Sequence, residues 1–120
     1  MLGTSGALTG TVRVVLLDTT KYTYRDDDAF LSDIPSAAWV AFSKPLQGKT
    51  FANGVFDADD VVLTRVPDGP QISALVVYVE GGSSKASRLV LYIEQVNGLP
   101  VTPDGTDVEI HWNELGIAVL

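Results

Sequence analysis

Asn53-Gly54 stands between two short stretches, Lys49 to Ala52 and Val55 to Ala58, that can pair across it. Both positions of the dipeptide tolerate the positive φ that a two-residue type I′ turn demands, and the twist of that turn matches the twist of paired strands. The centre of the chain is therefore expected to be a tight antiparallel hairpin. An isolated hairpin is marginal in water, so the flanking sequence must supply more strands.

Strand signals recur on both sides. Thr11 to Asp18 is rich in Val and Leu: Val12, Val14 and Leu16 share one face, and Val15 and Leu17 make the other face apolar too. Such a strand is central or covered on both sides, and another subunit is one source of the second cover. Ala37 to Ser43 alternates, with Trp39 and Ala41 on one side and Val40 and Phe42 on the other, until Lys44-Pro45 ends it. Val61 to Val66 is stopped by Pro67-Asp68-Gly69-Pro70. Ile72 to Val79 is the expected central core strand, Gly81-Gly82-Ser83-Ser84 turns the chain, and Arg88 to Glu94 returns. After a long loop from Gln95 to Gly105, Asp107 to Asn113 has the cleanest period of two: Val108, Ile110 and Trp112 point inward, while Glu109, His111 and Asn113 point outward. Gly116 to Leu120 supplies a last apolar strand.

The acidic triplet Asp26-Asp27-Asp28 ahead of Ala29-Phe30-Leu31 predicts one short helical turn near residues 27–33, ending before Pro35. Roughly eight short strands, closely spaced turn signals and almost no helical period predict an all-β fold, a β-sandwich or small β-barrel. It is expected as a single domain over residues 11–120, behind a Gly-, Thr- and Ser-rich N-terminal arm at residues 1–10.

With 46% hydrophobic residues, the chain can build a core without staples; it has no cysteine, so disulfides and thiolate chemistry are excluded together. No apolar run is long enough to span a bilayer as a helix, and no membrane partner is expected. Eight basic against 15 acidic residues give a net charge of -7, and the bases are scattered, so binding to a phosphate backbone is not expected. An acidic surface suits solubility or a basic protein partner.

Asp57, Asp59 and Asp60 are the candidates for calcium, a hard cation that takes six to eight oxygen ligands. Their spacing departs from the EF-hand loop, and Asx-turns are the simpler reading. His111 is the sole histidine and lies on a polar strand face with no nucleophile motif beside it. Gly81-Gly82-Ser83-Ser84-Lys85 lacks the order of a phosphate loop. Nothing here argues for an enzyme, and no cofactor is expected. A calcium- or carbohydrate-binding β-module, resting on Trp39, Trp112 and the aspartates, is an alternative from a different functional class.

The wording of Gly48 to Val61, with Val14-Val15-Leu16-Leu17-Asp18, Phe30-Leu31-Ser32-Asp33-Ile34-Pro35, Gly98-Leu99-Pro100-Val101-Thr102-Pro103-Asp104-Gly105 and Ile110-His111-Trp112, resembles a family of small structural proteins of tailed bacteriophages. The resemblance covers about Val12 to Leu120, and family members carry a longer segment before the first strand. It implies a virion protein made in the host cytoplasm. Head decoration (cement) on the outer capsid surface is the preferred role, with the major capsid protein and copies of the chain, as a homotrimer, for partners. A tail or neck component is the runner-up. Thr4 and Leu8 in the arm, with Tyr22 and Phe51, are the candidates for contacts between proteins.

Overall fold

The computed structural model describes residues 11–25, 27–52, 55–69, 71–83, 85–94, 99–112 and 118–119, the last two and residues 50–52, 55 and 56 through their backbone alone. Nine strands occur among them: β1 (Val12–Leu17), β2 (Trp39–Phe42), β3 (Thr50–Ala52), β4 (Val55–Asp57), β5 (Val61–Leu63), β6 (Ala74–Val79), β7 (Arg88–Ile93), β8 (Val108–Ile110) and β9 (Ala118–Val119). Every pairing is antiparallel. The strands form a four-stranded sheet in the order β2-β1-β6-β7, a three-stranded sheet β3-β4-β9 and a two-stranded ribbon β5-β8. The all-β expectation holds. The hairpin holds as well: Ala52 pairs with Val55, leaving room for the two-residue loop, while Asn53 and Gly54 themselves lie outside the described residues.

β1 and β6 form the middle of the main sheet, and their register explains why both faces are apolar. Val14 pairs with Val77 and Leu16 with Leu75, and these four, with Val12, enter one buried cluster. The alternate pairs, Val15 with Val76 and Leu17 with Ala74, put Val15, Leu17 and Val76 into a second cluster on the opposite face. The first cluster is closed by Val61 and Leu63 of β5 and by Val108 and Ile110 of β8, with Trp112 beyond, so the β5-β8 ribbon lies over the sheet as the second layer of an unequal sandwich. Burying each such side chain stabilises the fold by about 1.5–3 kcal/mol.

The second face is covered by the chain itself, where the sequence left room for another subunit. The segment between β1 and β2 crosses it as a strap and buries Tyr22, Leu31, Ile34 and Ala38 against Val15, Leu17, Val76, Tyr78 and Leu89. At its far side the strap pairs with the start of β7: Leu31 N–H donates to Ser87 O at 2.8 Å and Leu89 N–H to Ala29 O at 2.9 Å. It then returns to the near edge, where Asp18 N–H donates to Ala38 O at 2.9 Å. A β1 apolar on both faces therefore does not by itself call for an oligomer.

Two sequence expectations for the strap need correction. The helical turn is a 3-10 turn at Leu31–Asp33, and a second one follows Pro35 at Ser36–Ala38, so Ala37 and Ala38 lie outside β2. The acidic triplet does not start the first turn. Asp33 does the capping, its carboxylate accepting Ala29 N–H at 2.9 Å and Phe30 N–H at 3.0 Å, and these two bonds, Phe30's first, hold its pKa below the ordinary carboxylate value. In β2 the simple alternation fails too. Phe42 faces Val15, Ala41 faces Leu16 and Trp39 faces Leu17, so Val40 is the extra residue of a bulge. Trp39 consequently shares a side with Phe42, in edge contact at 5.7 Å, and Val40 and Ala41 pack on the first cluster.

Candidate functional site

Two surface constellations carry chemistry. The first lies on the outer face of the β5-β8 ribbon. Val61 pairs with Ile110 and Val62 with Glu109, so one step further Asp60 faces His111. The His111 ring is held at both nitrogens: Nδ1 lies 3.0 Å from Asp60 Oδ2 and Nε2 3.2 Å from Glu109 Oε2. The other oxygen of Asp60 accepts the Trp112 N–H at 2.9 Å, and the Trp112 indole N–H donates to Asp59 O at 3.0 Å. The His111 pKa is raised, first by Asp60 and then by Glu109, and that of Asp60 is lowered, first by His111 and then by the Trp112 N–H.

The three calcium candidates do not converge. Asp57 Oδ1 accepts its neighbour's Ala58 N–H at 2.8 Å, Asp60 is committed to His111 and Trp112, and the Asp59 carboxylate lies over Gly48, where an added Cβ would come within 2.5 Å of Oδ1. Among the described residues, no three His, Asp or Glu side chains are grouped to hold a metal ion. Trp112 is buried and its indole is spent on Asp59, so it offers no flat platform to a sugar ring.

The second constellation is the outer edge of the main sheet at β2. Ser43 N–H donates inward to Val14 O and Ser43 Oγ accepts Val14 N–H, at 2.8 and 2.9 Å, which leaves the preceding Phe42 with its peptide groups turned outward. Phe42 is 44% exposed, the largest exposure among the described big apolar side chains together with Val62. Its ring is braced by Trp39 on one side and by Tyr78 at 6.3 Å on the other. Burial pushes the Tyr78 hydroxyl up to about 12, so it stays neutral. The stretch from Ile34 to Ser43 contains no charged residue, in a chain of net charge -7. Arg13 flanks the patch, its Nε 3.3 Å from Glu80 Oε2, close enough to pair charges though not aligned as a hydrogen bond.

Of the four residues expected to touch partners, Tyr22 is placed elsewhere. It is 6% exposed, its hydroxyl donates to Asp28 Oδ2 at 2.6 Å, and its ring meets Tyr92 edge-on, so it belongs to the strap's own packing. Thr4 and Leu8 lie outside the described residues, as does the side chain of Phe51. Phe42 was missed because alternation alone places it opposite Trp39, and only the bulge puts it on the same side, beside Trp39 and Tyr78 at the sheet edge. His111 and Glu109 could be put on one face from the period of two, whereas Asp60 as their partner depends on a register that sequence does not encode locally.

No protein-family model matches the sequence, and no curated protein matches it. No helix among the described residues is long and apolar enough to cross a membrane.

Proposed function

We propose that the chain is a non-enzymatic structural protein of a tailed-bacteriophage virion, and that it decorates the outside of the head by binding the major capsid protein. The observation that carries this reading is the resemblance in wording at Gly48 to Val61 and along the other strands and turns. Three features support it. The fold is a small all-β domain. The acidic balance suits an exterior surface away from packaged DNA. The uncharged β2 edge presents a braced aromatic, Phe42, of the kind that anchors protein contacts.

The reading is tested by mixing the protein with undecorated heads and measuring occupancy and the heads' resistance to heat. Wild type should bind and protect. Phe42→Asp should stay folded and lose occupancy, because it places a charge in the contact. Deleting residues 3–10 should leave the β-domain folded and weaken attachment if the arm ties the protein to a neighbour. Failure of the intact protein to bind heads would move the assignment to the tail or neck.

A further inference from the structure

We infer that His111, clasped by Asp60 and Glu109, is a pH-dependent latch that fastens the end of β8 to the turn leading into β5. The inference stands on geometry and is independent of the virion reading. One carboxylate, Asp60, holds two things at once: the His111 ring through Oδ2 at 3.0 Å and the Trp112 backbone through Oδ1 at 2.9 Å. Asp60 therefore joins the exposed ring to the buried indole, which closes the end of the first core cluster and bonds back to Asp59 O. Whatever strengthens the Asp60–His111 contact also fixes Trp112 in place.

Among the described residues, the ionisable groups paired with the ring are Asp60, from the turn before β5, and Glu109, from β8 itself. Asp59, next in sequence to Asp60, turns its carboxylate to Gly48, and across the ribbon Glu109 is paired with the apolar Val62. With carboxylates on both nitrogens, the ring is best held when both carry protons, as imidazolium; loss of one proton turns one of the two contacts into an acceptor facing an acceptor. The folded protein favours the protonated ring, so the latch is complete below the ordinary histidine value of 6.5 and opens as the pH rises through the raised folded value. Asp60 has the opposite sense: its contribution is present above 3.8 and is lost as acid protonates it below the lowered value. The latch is closed between about pH 4 and pH 6.5 and opens at higher pH, as the ring loses its proton.

Amide hydrogen exchange read residue by residue tests this on the full chain, at about pH 5.5 and about pH 8, after correction for the intrinsic pH dependence of exchange. Protection of the Trp112 amide should fall roughly 2- to 5-fold at the higher pH, the range expected for an exposed charge pair, while amides in β1 and β6 keep theirs. In His111→Gln the Trp112 amide should show the same protection at both pH values, and Asp60→Asn, which keeps an acceptor for that amide, should behave likewise. Equal protection at both pH values in wild type overturns the inference, as does an unchanged pH response in His111→Gln.

Discussion

Replacing Tyr22 with Phe removes one oxygen and leaves the ring, so it isolates the bond that pins the strap. The Tyr22 hydroxyl donates to Asp28 Oδ2 at 2.6 Å, between residues 6% and 9% exposed. A hydrogen bond to a carboxylate in such a setting contributes about 1.5–3 kcal/mol, because its loss leaves a poorly hydrated acceptor unpaired. For a chain of this length about 1 kcal/mol corresponds to roughly 4 °C, so Tyr22→Phe should melt about 6–12 °C below wild type by calorimetry. Asp28→Asn keeps an acceptor and loses the charge, and the double variant should recover at least about 1 kcal/mol of the summed cost, since both changes act on one bond. The loss should also be independent of protein concentration, because the contact lies within one chain. A Tyr22→Phe protein within about 2 °C of wild type, or a loss that grows on dilution, would refute the placement of Tyr22 inside the strap and return it to an interface.

Gly81→Ala should cost about 1–3 kcal/mol in urea unfolding, since its Cβ would clash with the Ala86 carbonyl oxygen and push apart the turn whose Ser87 receives the strap. Gly82→Ala meets nothing within 4 Å but sits at φ +93, so its cost should be near 1 kcal/mol, and a Gly81→Ala protein as stable as wild type would show that the turn is not closed as described. Arg65 is exposed at φ 52. Arg65→Gly should stay within about 0.5 kcal/mol of wild type, relief of strain offsetting added freedom of the unfolded chain, whereas Arg65→Val should lose about 1–2 kcal/mol; equal melting of the two would reject the left-handed conformation.

The elements legible in the sequence were those decided by local chemistry. Turn residues placed the β3-β4 and β6-β7 hairpins, and the period of two put Val108, Ile110 and Trp112 in the core. Apolarity on both faces correctly made β1 and β6 central. What local chemistry leaves open is which part of the chain covers a given face. The strap has no period because it is held by single bonds of irregular spacing, Asp28 on Tyr22 and Asp33 on Ala29 and Phe30 within the strap, and Leu31 on the distant Ser87. Its two 3-10 turns are too short to leave a helical pattern. The bulge at Val40 is likewise invisible to counting, and it reverses the side on which Trp39 lies relative to Phe42.

The coverage of the main sheet also narrows how a partner can reach it. One face is closed by the β5-β8 ribbon and the other by the strap, while the β7 edge is occupied at its start by residues 29–31. The β2 edge is open, but its open stretch is one residue deep: a bulge precedes Phe42, and Ser43 spends its N–H and hydroxyl on Val14 and Lys44. Lys44-Pro45 then places a charge, and a residue with no N–H, on the line that an added strand would follow. Strand addition is therefore disfavoured at this edge, and a partner gains more by receiving the Phe42 ring in an apolar pocket than by extending the sheet. A side-chain anchor of that kind predicts that Phe42→Leu retains most head binding while Phe42→Asp abolishes it; if both bind equally well, the contact is made by backbone or lies elsewhere.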